Sequence, residues 1–90
     1  MMDENFTPEL NFPCEYPVKV IGQDADDFFD FVVDLVMRHA PGSSAQDFSV
    51  NRSSGGKYVS VSVTILAQSR EQVNAMYKEM GKHKRIKVAF

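Results

Sequence analysis

Within residues 58–67, apolar residues at positions 59, 61, 63 and 65 alternate with hydroxyl-bearing residues at positions 58, 60, 62 and 64, the most regular pattern in the chain. A period of two is typical of a strand with one buried face and one exposed face. Gly55 and Gly56 precede this segment and indicate a hairpin turn, so the strand is predicted to be the second arm of a hairpin. Its buried side would consist of Val59, Val61, Val63 and Ile65.

Two other segments have the spacing of an amphipathic helix. The later one begins at Ser69, a predicted N-cap, with Gln72 at the third helical position in a capping-box arrangement, and it ends at Gly81. The earlier one is predicted to run from the N-cap Asp24 to about His39. Its apolar stripe consists of Phe28, Val32, Leu35 and Val36.

Three weaker strand patterns complete the set of elements, at residues 14–22, 47–53 and 85–90. In the first of these strands Pro17 is expected at the start, because a missing N–H is tolerated there. In the second, Phe48 and Val50 are the predicted buried pair. The last shows an alternation of Ile86, Val88 and Phe90 with Arg85, Lys87 and Ala89.

The resulting order, β-α-β-β-α-β, predicts an α+β fold of the ferredoxin-like kind. Right-handed crossovers place both helices on one face of a four-stranded antiparallel sheet, with the strands in the spatial order 4-1-3-2. The other sheet face is then uncovered. Strand alternation places Ile21, Leu66 and Ala89 on that face among polar residues.

Length and composition indicate one domain, since the chain has 90 residues, of which 43% are hydrophobic and 24% charged. We assign residues 12–90 to a single domain and residues 1–11, which lack apolar periodicity, to a flexible N-terminal tail. Cys14 is the only cysteine, so no intrachain disulfide is possible. Together with an acidic N-terminus and no long apolar run, this predicts a cytoplasmic protein that does not enter a membrane.

Charge is distributed unevenly along the chain although the net charge is only −2. Residues 1–34 hold nine acidic residues and one basic residue, whereas residues 35–90 hold three acidic and nine basic residues. Such polarity can orient a partner, including a second copy of the same chain. The simpler interpretation is that these charges cover solvated faces and suit helix ends, because any small domain needs exposed charges.

Candidate catalytic and metal-binding residues are few. Cys14, His39 and His83 are the only residues of their types, and nothing in their spacing demands the hydrogen-bonded pair that a cysteine nucleophile needs. They are also too scattered for a zinc site, which requires closely spaced ligand pairs. The sequence therefore predicts a protein that is not an enzyme and uses no metal or cofactor.

Sequence-specific nucleic-acid binding is not predicted either. Domains of this fold class that read RNA stack bases on aromatic residues of the two central strands. Here the corresponding positions of the third strand carry Ser60, Ser62 and Thr64, and the first strand offers Lys19 and Ile21. Basic side chains could still attract phosphates, but only without sequence preference.

Five short segments together resemble one protein family. They are residues 19–23, 38–42, 53–58 and 60–65, and Glu71-Gln-Val with Tyr77 and Gly81-Lys82. In their order and spacing they are similar to the bacterial YbeD-like family of small uncharacterised proteins, over residues 12–90. The resemblance implies a ferredoxin-like fold close to the regulatory ACT domain, which binds amino acids between paired copies. Family members often lie near genes for lipoate attachment, and this neighbourhood hints at a regulatory link to lipoate metabolism. The family has no list of catalytic residues, so the resemblance assigns none to this chain.

Two kinds of binding site follow as hypotheses. For a protein partner, or a second copy in a homodimer, the candidate residues are Phe48 and Val50 on the second strand and Lys84, Arg85 and Lys87 around the last. The expected function is then that of a noncatalytic regulatory or adaptor domain that acts through protein contacts with a partner the sequence does not name.

The alternative is an ACT-like domain that senses an amino acid or small acid. Its candidate ligand site is the loop Gly22, Gln23 and Asp24. Gly22 would let a ligand approach the backbone, the Gln23 amide can donate and accept hydrogen bonds, and Asp24 could pair with an amino group. A turn at Gly22 and a helix cap at Asp24 explain two of these residues without a ligand.

Overall fold

The computed structural model describes residues 12–53 and 55–90, so the predicted N-terminal tail lies outside the described residues. The elements are β1 (Cys14–Gln23), α1 (Phe28–His39), one 3₁₀ turn (Ala45–Asp47), β2 (Phe48–Arg52), β3 (Tyr58–Ala67), α2 (Arg70–Met80) and β4 (Ile86–Ala89). The strands lie in the order β2-β3-β1-β4 and every neighbouring pair is antiparallel. The predicted ferredoxin-like α+β fold and strand order are confirmed.

The hydrophobic core lies between the sheet and the two helices. On the sheet side, Val20 of β1 lies opposite Val61 of β3, and both are fully buried. The helices contribute the other half of the core, because their apolar stripes face the sheet. The fully buried helix residues include Phe28, Val32, Leu35, Val36, Met76 and Met80.

The start of α1 differs from the prediction. Its N-cap is Asp27, and the cap makes no side-chain hydrogen bond. The backbone N–H of Phe28 instead donates to the carbonyl of Ala25 at 3.1 Å, so a turn precedes the helix. Asp24 was expected to be the cap, but its carboxylate forms an ion pair with Arg52 at the end of β2. The Asp24 carboxylate thus pairs with Arg52, which is distant in the sequence, instead of accepting a hydrogen bond from the first turn of α1.

The start of α2 agrees with the prediction, with an added contact. The Ser69 hydroxyl accepts a hydrogen bond from the backbone N–H of Gln72 at 3.1 Å. In a capping box the Gln72 side chain would return to the N–H of Ser69. Here its amide nitrogen donates to the His39 carbonyl at 2.6 Å, and its oxygen accepts from the Gln68 backbone at 2.5 Å. Gln72 therefore joins the start of α2 to the end of α1.

Pro17 lies inside β1, opposite Thr64, rather than at its start. The neighbouring Lys19 exchanges two backbone hydrogen bonds with Phe90, of 2.7 and 2.9 Å, so its polar backbone groups are directed toward β4. In a strand the polar backbone groups of residues two apart point to the same side, so the Pro17 nitrogen points to the β4 side of β1. The described pairing between the two strands ends at Lys19 and Phe90, so no described residue lies opposite Pro17 on that side. The proline therefore removes no hydrogen bond between described strands.

A register shift in β4 changes which of its residues face the helices. Ile86 lies opposite Gly22 whereas Val88 lies opposite Ile21, so three residues of β4 span two of β1. This β-bulge breaks the alternation predicted for residues 85–90. Ile86 and Ala89 pack against the core, and Val88 is on the other face. The expectation that Ala89 lies on the uncovered face is therefore wrong.

The edge strand β2 buries only one of its two apolar residues. Phe48 is 8% exposed and packs in the core, with its ring 6.3 Å from that of Phe29. Val50 lies on the same face of the sheet as Phe48, but its side chain is 47% exposed. Phe48, proposed as a partner-binding residue, is thus a core residue, because its ring packs against Phe29 of α1.

Candidate functional site

The sheet face opposite the helices, called the open face below, consists of alternate residues of four strands. Cross-strand pairing assigns them, because residues directly opposite each other in an antiparallel pair share a face. No described helix covers this face. Its members are Glu15, Pro17, Lys19, Ile21 and Gln23 of β1, Ser49 and Asn51 of β2, Tyr58, Ser60, Ser62, Thr64 and Leu66 of β3, and Val88 and Phe90 at β4.

Large apolar side chains are concentrated on the open face. Among the described residues, five large hydrophobic side chains are markedly exposed, and four of them are Tyr58 (45%), Leu66 (50%), Val88 (47%) and Phe90 (61%) of this face. Phe90 borders a shallow depression of about 510 Å³ whose floor includes Pro17 and Thr64. Clustering of exposed apolar groups on one face is typical of an interaction surface.

Cross-strand pairing assigns two charged residues of the described strands to the open face, and both belong to β1. Glu15 and Lys19 are four residues apart, which corresponds to about 13 Å along a strand. Pro17 lies midway between them. Cross-strand pairing therefore gives the face one charge of each sign at a fixed spacing, while the exposed Lys87 lies in the bulge of β4 with no paired residue.

The loop proposed to bind a small ligand is held by contacts within the chain. A Cβ atom on Gly22 would overlap the Arg85 carbonyl oxygen and the Phe28 ring, so close packing accounts for the glycine. The Asp24 carboxylate pairs with Arg52, and its backbone N–H donates to the Lys57 carbonyl at 3.0 Å. Gln23 is exposed. Two of the three candidate residues thus have intrachain partners.

The basic residues around β4 are placed differently from one another. Arg85 forms a two-pronged ion pair with Asp27, with N–O distances of 2.6 and 3.2 Å, and this bond lowers the pKa of the Asp27 carboxyl group. The guanidinium carbon lies 4.6 Å from the centre of the Phe31 ring. Lys84 and Lys87 are exposed. Of the three, the lysines are accessible to a partner and Arg85 joins α1 to β4.

Glu79 of α2 is the centre of a polar cluster that the sequence patterns did not single out. Its carboxylate oxygens lie 2.6 Å from His39 Nε2, 2.8 Å from Arg38 Nη1 and 3.5 Å from His83 Nε2. The bond to His39, with further bonds to Arg38 and His83, lowers the pKa of Glu79 from 4.5 to about 2, against an opposing effect of burial. The four-residue spacing of Glu79 and His83 across the end of α2 was the available sequence signal.

This cluster predicts a pH-dependent contribution to stability. The folded-state pKa of Glu79 is below its ordinary value, so its contribution is complete above about pH 4.5 and is lost as the pH falls toward about 2. Glu79→Gln should lower the free energy of unfolding at neutral pH by about 1–2 kcal/mol. Urea unfolding of both proteins across this range measures the difference, which should shrink on acidification. A constant difference would contradict the assignment, and Glu71→Gln, exposed on the same helix, is the control.

The residues weighed as catalytic or metal-binding do not form such a site in the described part of the chain. His39 and His83 meet at Glu79, whereas Cys14 begins β1 opposite Ala67. Across residues 12–53 and 55–90, no three side chains of His, Cys, Asp or Glu are grouped to hold a metal ion. No helix among those residues has the length and apolar character required to cross a membrane.

Comparison with solved structures supports the fold. The solution structure of protein HP0495 from H. pylori superposes with a TM-score of 0.70 and covers 97% of this chain and 91% of its own. The two sequences are 16% identical, so this likeness concerns the fold alone.

Comparison with known sequences assigns the family. The model described as a protein of unknown function (DUF493) matches residues 7–90. A UPF0250 protein of Pseudomonas paraeruginosa is 42% identical over 74 residues, which is 81% of this chain and 80% of the relative. A UPF0250 protein of Ralstonia nicotianae is 35% identical over 98% of both chains. Their names indicate no catalytic function. In agreement with the resemblance identified from five short segments, the chain belongs to the UPF0250 (DUF493) family of small bacterial proteins of unknown function.

Proposed function

We propose that this domain is a noncatalytic adaptor whose open face binds another protein. The observation that carries the proposal is the concentration of exposed apolar residues there, because Tyr58, Leu66, Val88 and Phe90 all lie on the one sheet face that the helices leave uncovered. Protein interfaces combine such apolar and aromatic groups with a polar surround. Ser60, Ser62 and Thr64 supply hydroxyl groups between them.

A broad protein surface fits the open face better than a small molecule does. Ligand pockets are concave and enclose most of the ligand surface. The depression beside Phe90 is shallow, and the exposed apolar residues are spread over β3 and β4 on either side of β1. The proposed contact is therefore an extended one, with Lys84 and Lys87 exposed at the adjoining edge.

The ACT-like sensing alternative has weaker support. Its candidate loop contains Gly22, whose missing Cβ is explained by the Arg85 carbonyl and the Phe28 ring, and Asp24, whose carboxylate already has a cationic partner. A ligand amino group would have to displace Arg52 from Asp24. Gln23 is the remaining exposed candidate. We therefore rank the sensing function below protein binding.

Site-specific crosslinking in bacterial cells tests the adaptor function. A benzophenone amino acid in place of Val88 should give a crosslinked protein that mass spectrometry identifies, and the adduct should disappear when Phe90→Asp is added. The same probe in place of Ala75, exposed on the outer side of α2, is the matched control and should give none. Absence of an adduct at position 88, or equal adducts at both positions, would refute binding through the open face.

A further inference from the structure

We propose that the protein bound on the open face is a second copy of this chain, packed sheet against sheet about a two-fold axis that lies midway between the two sheets, perpendicular to the strands, and passes over Pro17 of β1. This inference rests on the proposed function, since it names the partner of the same surface. In this arrangement the two copies of β1 run antiparallel across the interface. Glu15 of each copy then faces Lys19 of the other.

The charge pattern of the open face favours a copy of itself over a partner of one charge sign. A two-fold interface requires a self-complementary surface, because each residue meets the symmetry-related surface of the other chain. Glu15 and Lys19 satisfy that requirement. With the two-fold axis midway between them, Glu15 of each copy lies opposite Lys19 of the other copy, which gives two ion pairs. Packed sheets lie about 10 Å apart, a gap that a glutamate and a lysine side chain span together. A strongly acidic or strongly basic partner would leave one of the two unpaired.

The positions of the exposed apolar residues fit the same axis. Phe90 lies level with Lys19, and the two-fold rotation carries it beside Glu15 of the other copy. This side chain, which is 61% exposed, would thereby be covered. Leu66, level with Glu15, would lie over the small Ser62 of the other copy.

The area of the face reaches the lower end of the range for specific interfaces. β1 and β3 each have ten residues, or about 33 Å of strand, and four strands spaced about 4.8 Å apart give a projected face of roughly 500 Å². Side-chain relief increases the accessible area above the projected one. Two such faces together provide roughly 1,000 Å², about the minimum for a specific interface, so the whole open face would be used.

Charge reversal tests this geometry because it predicts which variants associate with one another. Glu15→Lys should place lysine opposite lysine twice, and Lys19→Glu should place glutamate opposite glutamate twice. Each variant alone should self-associate at least about tenfold more weakly than the natural chain. An equal mixture of the two should associate again, because both cross-pairs become attractive. The double variant Glu15→Lys/Lys19→Glu should also recover self-association. Sedimentation velocity of the full chain over the micromolar range measures all four cases.

A charge-matched control separates specific pairing from general attraction. Glu71→Lys and Lys78→Glu make the same net-charge changes at exposed positions of α2. Each of these variants should self-associate like the natural chain, and their mixture should show no added association. Circular dichroism and thermal unfolding establish that every variant is folded. Weakened self-association of each control variant, followed by recovery in their mixture equal to that of the Glu15 and Lys19 mixture, would overturn the proposed register.

The outcomes also distinguish this inference from the proposed function. A natural chain that stays monomeric over the whole concentration range, while the probe at position 88 captures a different protein, would overturn self-association and leave the adaptor function standing. An adduct of twice the chain mass from position 88, together with recovery in the mixture, supports both. Monomer throughout and no adduct would overturn both.

Discussion

Gly22→Ala is expected to lower the free energy of unfolding by about 2–3 kcal/mol. The added methyl group would overlap the Arg85 carbonyl oxygen on β4 and the ring of Phe28 on α1. The carbonyl belongs to the backbone and cannot rotate aside, and the ring is fully buried, so relief requires strand and helix to separate. The effect should therefore resemble overpacking of a core.

Urea unfolding followed by circular dichroism measures this loss. Gly42→Ala is the matched control, since a Cβ at Gly42 would have no neighbour within 4 Å, and it should change the free energy of unfolding by less than about 0.5 kcal/mol. Phe28→Leu added to Gly22→Ala should be less destabilising than the sum of the two single effects, because the smaller side chain removes one of the two overlaps. Equal effects of Gly22→Ala and Gly42→Ala would refute the close packing at Gly22.

Ile86→Asp and Val88→Asp are expected to have opposite outcomes although the residues are two positions apart. Ile86 packs against the core, so a carboxylate there would lie in an apolar environment and should destabilise the fold by about 2–4 kcal/mol. Val88 is 47% exposed on the open face, so the same change should alter the free energy of unfolding by less than about 1 kcal/mol. The register shift in β4 is the reason for the difference.

Thermal and urea unfolding of the two variants distinguish the bulged strand from a regular one. A regular alternation would place both residues on one face and give them similar effects. Two large losses, or two small ones, would therefore contradict the bulge. A folded Val88→Asp variant has a further use, because it should weaken contacts through the open face without unfolding the domain.

Elements with strong local signals were predictable from the sequence. β3 occupies residues 58–67 as its alternation indicated, and α2 begins after Ser69, whose hydroxyl caps the helix. Both depend on side chains close in sequence, so a local pattern contains the necessary information. The order of elements then restricted the topology, because crossovers between parallel strands are right-handed.

The candidate site was only partly predictable. An uncovered sheet face and Leu66 on it followed from the alternation of β3. The sequence patterns did not place Val88 and Phe90 on the open face. In a regular strand they would lie on the same face as the partly buried Ile86, but the bulge in β4 moves them to the opposite face. Bulges carry no reliable local signal when no glycine marks them.

The sequence by itself determined the element order, the ferredoxin-like topology and the family, because hydrophobic periods, caps and short segments are local properties. Only the tertiary structure decided the partners of residues distant in the chain. Asp24 pairs with Arg52 instead of capping α1, and Glu79 gathers side chains from two helix ends. It also decided that Phe48 is buried while Val50 is exposed, because the helix layer covers one and not the other. Such choices depend on which surfaces meet when helices pack on a sheet, and no local pattern contains that information.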